Sequence, residues 1–252
     1  MVFLTVHYST PFGQSLAVEV QDYPDLIPLS YVDSNTWAGE LRLPVARVIK
    51  YRYVVVLADK QVFRTEGKGL FYHTIDLSMG EFKTIEVTDH FITGQDAEDT
   101  FLDTSMFKEV IYGGRPSEAF TVKKLGDKTL HLKVRATCVP KGNTVYVSGE
   151  PEVLGHWNVH RAIKMVPTEE PYFEALVDLT GVQSPFEYKL FIADDTQNNA
   201  MWEERNNRSF TIPSTNDEMA LPALYVLEDS DFAGCNYRGA GVVTPVFAIR
   251  SK

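Results

Sequence analysis

Short stretches in which apolar and polar residues alternate run through most of this chain of 252 residues. Successive side chains of a strand point to opposite faces, so a period of two predicts strands with one buried face. Turn residues break the pattern about every 8–12 residues, a spacing typical of an all-β sandwich. In the N-terminal part the predicted strands are residues 3–8, 16–20, 36–43, 49–57, 70–77 and 82–87.

The pattern returns in a second part of the chain, where the order of features repeats the first. Predicted strands there are residues 130–137, 144–148, 173–179, 186–192 and 208–212. Three pairs of residues match in order: Gly13 with Gly142, Trp37 with Phe173, and Arg52 with Lys189. The offset grows from 129 residues at the first pair to 137 at the last, near an extra segment at 154–157. The repeat predicts two diverged copies of one β module.

Two segments fit neither copy. Residues 91–127 carry few apolar anchors and are predicted to be a linker, with a short helix near 103–109. Residues 214–252 end in an apolar run at 242–249, after which no sequence remains for it to pack against. We therefore expect the chain to be a piece of a longer protein. The expected domains are 1–90, 128–213 and the intervening and following segments.

Composition and charge limit the classes of partner and the cellular compartment that we expect for this chain. The formal net charge is −10, and the basic residues are scattered, which argues against nucleic acid. No apolar run approaches the roughly 18–20 residues of a membrane span, and the start lacks the features of a signal peptide. The two cysteines, Cys138 and Cys235, are expected to be thiols in a reducing cytoplasm, although a single disulfide stays open.

A cluster of aromatic and polar residues in the second copy is the strongest functional signal. Trp157 and Trp202 both lie in polar, turn-rich sequence, where a core tryptophan is unusual. An indole face packs on the C–H face of a sugar, and neighbouring amides and charges bond its hydroxyls. The polar partners are Glu187, Lys189 and Asn207. The alternative is that one of the tryptophans belongs to the core.

The same residues carry a resemblance to a known family. Leu154-Gly155-His156-Trp157, Phe186-Glu187-Tyr188-Lys189 and Trp202-Glu203 with Asn207-Arg208 resemble the motifs of starch-binding modules, carbohydrate-binding module family 20. The resemblance implies two immunoglobulin-like antiparallel β-sandwiches in tandem and an α-glucan ligand. It also implies a first binding site in the second copy, made by Trp157, Glu187, Lys189, Trp202 and Asn207.

The first copy departs from this pattern. It lacks the 154–157 segment, has Arg52 in place of the lysine, and has Arg64-Thr65-Glu66 roughly where Trp202 would fall. Its first site is therefore expected to be degenerate. Phe12, Tyr31 and Trp37 fall near the aromatic positions of the family's second site, although Trp37 can equally be a core residue. In the second copy, Lys141 and Phe173 match that second site, and Lys141 departs from its aromatic pattern.

The C-terminal sequence carries a second resemblance. Tyr237-Arg238-Gly239-Ala240-Gly241 and Pro245-Val246-Phe247 are similar to the start of the catalytic (β/α)₈ barrel in family-77 4-α-glucanotransferases. The resemblance implies a glucan-binding region in front of a truncated catalytic domain. We expect this chain to bind malto-oligosaccharide, starch or glycogen without catalysis, and to need no cofactor or metal.

Two other functions stay open at this stage. The first copy can be a structural module that docks on the catalytic domain or on a second subunit in a homodimer. Alternatively, the chain can be a regulatory glycogen-binding module, for which the C-terminal resemblance gives no support.

Overall fold

A computed structural model describes residues 1–42, 48–67, 72–76, 82–92, 117–137, 139–168, 171–213, 221–229 and 232–234. Within these ranges the regular elements are strands, together with two short 3-10 turns, Glu152–Leu154 and Val159–Arg161. No helix in this part of the chain is long and apolar enough to cross a membrane. The predicted all-β class is confirmed. The predicted helix near 103–109, both cysteines and residues 235–252 lie outside the described residues.

Strands β1 to β9 lie in residues 1–92, which we call the first half. They are β1 (Val2–His7), β2 (Gln14–Val20), β3 (Ile27–Pro28), β4 (Ser30–Asp33), β5 (Thr36–Leu41), β6 (Val48–Leu57), β7 (Val62–Thr65), β8 (His73–Asp76) and β9 (Thr84–His90).

Strands β10 to β18 lie in residues 117–234, the second half. They are β10 (Lys128–Arg135), β11 (Thr144–Gly149), β12 (Ile163–Lys164), β13 (Val166–Pro167), β14 (Tyr172–Asp178), β15 (Phe186–Ala193), β16 (Met201–Trp202), β17 (Arg208–Phe210) and β18 (Ala223–Asp229).

The strands form one large sheet and two smaller ones. The large sheet has eight strands in the order β13-β14-β10-β18-β9-β1-β5-β4. One small sheet has the order β3-β2-β6-β7, with β8 also on β6, and the other has the order β12-β11-β15-β16, with β17 also on β15. In the first half β1 is antiparallel to β5 and parallel to β9. In the second half β10 is antiparallel to β14 and parallel to β18, so the strand arrangement repeats.

Parallel pairing of β9 with β18 joins the two halves into the eight-stranded sheet. Alternate residues of β18 then enter different cores. Leu224 and Val226 pack with the apolar residues of the first half, which we call the first core. Ala223, Tyr225 and Leu227 pack with those of the second half, the second core. The two small sheets therefore cover opposite faces of the large sheet.

This arrangement corrects one expected boundary. Residues 214–252 were assigned to a segment outside both modules, but β18 pairs with β10 and β9 and supplies both cores. The second half therefore extends past residue 213. The sequence pattern could not reveal β18, because a strand that is buried on both faces lacks the alternation expected of a half-buried one.

Candidate functional site

The outer face of β15 presents the polar residues of the predicted site. Tyr188 and Leu190 point inward and are buried in the second core. Glu187 and Lys189 alternate with them and therefore point outward, with Glu187 exposed and Lys189 half-buried. β15 lies between β11 and β16, so both neighbouring strands contribute to the same outer face.

A row of aromatic rings supports Trp202 on this face. Phe191 of β15 is buried between Tyr146 of β11 and Trp202 of β16. The Tyr146 and Phe191 rings are stacked, with centroids 5.2 Å apart, and the Phe191 and Trp202 centroids are 4.7 Å apart. Trp202 itself is half-buried. Its indole is therefore partly open to solvent and rests on a fixed aromatic base.

A tight turn places Trp157 beside the same strands. The φ angles of Gly155, His156 and Trp157 are 80°, 52° and 62°, a left-handed conformation that is unusual for the two non-glycine residues. The Trp157 backbone N–H donates to the Gly149 carbonyl oxygen at 3.0 Å, which holds the turn on β11. Backbone strain of this kind is concentrated at functional sites, where the surroundings hold it in place.

Gly149 allows this close approach. A Cβ atom at that position would lie 2.6 Å from the Glu187 carbonyl oxygen and 2.9 Å from Leu154 Cδ1. Ser148, the preceding residue, is paired with Lys189 across the sheet and donates its hydroxyl to the Leu154 carbonyl oxygen at 3.0 Å. The turn that carries Trp157 is thus packed against β11 and β15 next to Lys189.

Glu187 and Asn207 form the polar rim. The Asn207 side-chain amide donates to Glu187 Oε2 at 2.8 Å, and both residues are exposed. Among the described residues, the Lys189 ammonium and the indole N–H groups of Trp157 and Trp202 have no partner. The face therefore offers free donors next to two half-buried indole rings.

A buried ion pair holds the loop that carries Trp202 and Asn207. Arg208 Nε and Nη2 donate to the Glu203 carboxylate at 2.8 and 2.6 Å. Glu203 Oε1 also accepts the backbone N–H of Leu190 at 3.1 Å, which ties the loop to β15. Burial opposes the charge of Arg208, but the hydrogen bonds to Glu203 and the charge of Asp229 outweigh burial and raise the pKa of its guanidinium.

Neither Glu203 nor Arg208 was recognised from the sequence as a support of the site. The signal that could have identified Glu203 is the internal repeat, because Glu66 lies 137 residues before it. Glu66 Oε2 accepts the backbone N–H of Tyr53 at 2.9 Å in the same way. A buried carboxylate recurring at the repeat offset indicates a structural anchor.

In its described residues the first half does not repeat the aromatic row of the second half. Ala17, Val54 and Thr65 stand where the second half has Tyr146, Phe191 and Trp202. Arg52, at the position of Lys189, pairs with Glu19 at 2.8 Å and lies 4.8 Å from the centre of the Tyr72 ring. The cation is therefore already engaged, in agreement with a degenerate first site in this half.

The three aromatic residues suggested for a second site in the first half differ in exposure. Phe12 is fully exposed and Tyr31 is 62% exposed, whereas Trp37 is only 6% exposed and belongs to the first core. The Tyr31 and Trp37 rings meet edge to face at 5.4 Å. Trp37 therefore fits its alternative assignment as a core residue and does not offer an open face.

The matching positions in the second half do not form an aromatic surface either. Phe173 is buried in the second core at 1% exposure, so its assignment to a binding surface is wrong. Lys141 is exposed in the turn before β11. Because Phe173 is closely packed among the apolar residues of the second core, its ring is not open to a ligand.

Similar solved structures include two carbohydrate-binding modules. One is the family 20 module of the maltotetraose-forming amylase from Pseudomonas saccharophila STB07, with 17% identity and a TM-score of 0.32, covering 39% of this chain and 98% of that one. The other is a family 26 module of Eubacterium rectale Amy13K, solved with maltoheptaose, with 8% identity and a TM-score of 0.26, covering 90% and 93%.

Similar sequences include two glucan-active proteins. The rice (Oryza sativa subsp. japonica) 4-alpha-glucanotransferase DPE2 is 25% identical over 264 residues, covering 97% of this chain, which spans 27% of that relative. An alpha-amylase of Streptomyces violaceus is 38% identical over 84 residues, covering 33% of this chain and 14% of the relative. Residues 129–220 match the sequence model of the starch binding domain. In that part the chain is therefore similar to the starch binding domains of carbohydrate-binding module family 20.

Proposed function

We propose that this chain binds α-1,4-glucan at the outer face of β15, between Trp157 and Trp202. The observation that carries the proposal is the pair of half-buried indoles beside the Lys189 ammonium, which has no partner among the residues that the structure describes. Glucose rings present C–H faces to aromatic rings and hydroxyls to polar groups, and the site combines both. Starch, glycogen and malto-oligosaccharides share this chemistry.

Each site residue has a proposed role. Trp157 and Trp202 stack on glucose units, and each aromatic contact contributes about 1 kcal/mol beyond the burial of area. Lys189 donates to sugar hydroxyls, while Asn207 and Glu187 bond them as an already paired unit, with 2.8 Å between the two side chains. Because these two side chains are held by each other before the ligand arrives, less side-chain entropy is lost on binding.

We assign a structural role to the first half. The match of β5-β1-β9 with β14-β10-β18 supports two copies of one module, residues 1–92 and 117–234. The outer face of the first copy has aliphatic and small residues at the aromatic positions, and its β9 forms the edge on which β18 lies. The first copy then acts mainly as a support for the second. Sugar binding by Phe12, Tyr31 and Trp37 is not part of the proposal.

For the whole protein we propose the N-terminal region of a 4-α-glucanotransferase. Similarity over 97% of this chain to the rice glucanotransferase supports this assignment. In such a protein the site would hold glucan near a catalytic domain that transfers glucosyl units between α-glucans, while this chain itself would not catalyse. A barrel start at residues 237–252, a cytoplasmic location and a homodimer remain predictions from the sequence.

Affinity electrophoresis in gels containing amylopectin tests the binding proposal. Wild-type protein should be retarded, and Trp157→Ala and Trp202→Ala should each lose most of that retardation. Phe63→Ala is the matched control, since Phe63 is an aromatic residue that is 62% exposed on β7 of the first half. Unretarded wild-type protein, or equal retardation of all four proteins, contradicts the proposal.

A further inference from the structure

A buried histidine lies where the two halves meet. His73, on β8 of the first half, is 4% exposed. Its Nε2 lies 3.1 Å from Glu66 Oε2 in the same half, and its Nδ1 lies 3.2 Å from Glu228 Oε2 on β18 of the second half. The imidazole ring thus connects a carboxylate of each half.

The groups around this ring are mainly acidic. Asp89 of β9 accepts hydrogen bonds from the Tyr51 and Tyr53 hydroxyls at 2.6 and 2.8 Å. Lys133 Nζ of β10 lies 3.7 Å from Glu228 Oε2 and is partly exposed. Among the described residues, the titratable and charged groups that face His73 or its carboxylate partners include Tyr51, Tyr53, Glu66, Asp89, His90, Lys133, Tyr172 and Glu228.

The geometry favours a charged imidazolium. Only the protonated ring can donate from both nitrogens at once, and each nitrogen here faces a carboxylate oxygen. Burial opposes the charge, but the carboxylates of Asp89, Glu66 and Glu228 outweigh it and raise the pKa of His73 well above 6.5. Burial likewise opposes the charge of Glu228, but its hydrogen bond from His73 lowers the pKa of that carboxyl to about 2.

The second half contains the same buried constellation with a different cation. Tyr188 donates to Asp229 as Tyr51 donates to Asp89, and Glu203 accepts a β15 backbone N–H as Glu66 accepts one from β6. In the second half the cation between the carboxylates is Arg208. Arginine stays charged at any physiological pH, whereas histidine can lose its proton.

We propose that His73 is a protonation-dependent link between the two halves of the chain. With a proton on both nitrogens, the ring bonds Glu66 and Glu228 together across the seam. When one proton leaves, one carboxylate loses its donor and the buried cluster gains negative charge, which weakens the attachment of β18 to the first half. The loop that carries Trp202 and Asn207 is held by Arg208, which stays charged. We therefore expect that loop to be unaffected when His73 loses a proton.

The direction of the pH effect follows from the raised pKa. In the folded state His73 holds its proton more tightly than in the unfolded chain. Its contribution to stability is therefore complete below about pH 6.5 and is lost as pH rises through the folded-state value. The loss of stability therefore begins at about pH 6.5 and continues as pH rises.

A metal ion is the competing occupant of this cluster. Ligand atoms of His73, Asp89 and Glu228 lie within 4.8 Å of one another. However, the two ring nitrogens face two different carboxylates, and one metal ion cannot replace both contacts. A proton on each ring nitrogen explains both distances, so the doubly protonated ring is the assignment that the geometry supports.

NMR titration of the His73 imidazole tests the link directly. In ¹⁵N-labelled protein both ring nitrogens should stay protonated at pH 7.5, and the midpoint should fall in Glu228→Gln. Glu204→Gln, which changes an exposed glutamate, should leave the midpoint unchanged. A midpoint at or below 6.5, or a ring that binds added Zn²⁺ with one-to-one stoichiometry at neutral pH, overturns the proposal.

Thermal unfolding supplies a second measurement. Between pH 6.5 and pH 9 the Tm of the wild type should fall by about 3 °C or more relative to His73→Arg, in which the link cannot titrate. If His73→Arg does not fold, His73→Gln serves, because its Tm should lie below the wild type at pH 6.5 and approach it at pH 9. Parallel Tm curves for wild type and the folded variant contradict the link.

Discussion

At the scale of single residues, Lys189 and Arg52 illustrate how one chain uses the same position in two ways. Both lie on the central strand of a small sheet, at positions related by the repeat. Arg52 is held by Glu19 and stacks on Tyr72, whereas Lys189 has no ion-pair partner in the described ranges. This difference fits the proposed role of Lys189 as a donor to a ligand.

We therefore expect Lys189→Gln to weaken binding of a cyclic malto-oligosaccharide by about tenfold. A hydrogen bond from a charged donor contributes about 1.5–3 kcal/mol, and 1.4 kcal/mol corresponds to a factor of ten in Kd. Isothermal titration calorimetry measures the change. The matched control is Arg52→Gln, which should bind as tightly as the wild type. Equal losses in both variants would show that Lys189 has no special role.

At the scale of elements, the Trp202–Arg208 loop depends on an ion pair that is almost completely buried. The side chains of Arg208 and Glu203 are 3% and 0% exposed. Removing one partner of such a pair leaves an uncompensated charge in the interior. The loop carries Trp202 at one end and Asn207 at the other, so its anchorage fixes two site residues together.

Glu203→Gln should lower the free energy of unfolding by about 3 kcal/mol, because the Arg208 charge loses its main partner. Its neighbour Glu204 is exposed, so Glu204→Gln should change that free energy by less than about 0.5 kcal/mol. Urea denaturation followed by circular dichroism compares the two. Similar midpoints for both variants would contradict the assigned anchor.

The sequence predicted the strands with one buried face better than the strand that is buried on both faces. Strands with one buried face, such as β10 and β14, alternate and were located to within a few residues. Trp157 and Trp202 were singled out from the sequence because they stand in polar surroundings, and their part in glucan binding stays a prediction. The sequence alone could not decide whether Trp37 is buried or exposed, because the residues around it fit both a buried strand and an aromatic surface.

At the scale of the whole molecule, β18 makes the two halves dependent on each other. Leu224 contributes to the first core, and Tyr225 and Leu227 contribute to the second. From the sequence we predicted two separate sandwiches. The repeat indicates which strands of the two copies are equivalent, but it does not indicate that β9 of the first copy pairs with β18 of the second. Long-range pairing of β9 with β18 is set by tertiary packing, which no local pattern records.

A chain that ends at residue 213 should therefore not fold cooperatively. Burial of one large apolar side chain contributes about 1.5–3 kcal/mol, so loss of β18 removes several times that amount and exposes two strand edges. A chain that ends at residue 234 is the control and should melt in one transition. Circular dichroism melting compares them. Equal Tm values for the two chains would contradict the shared-strand arrangement.

The central claim is that one glucan site lies between Trp157 and Trp202. The chain has three tryptophans, and therefore three indole N–H resonances that can be assigned with Trp→Phe variants. On titration with maltoheptaose, the account predicts that the resonances of Trp157 and Trp202 shift together and saturate, while that of buried Trp37 stays in place. A shift confined to Trp37, or no shift at all, would contradict it.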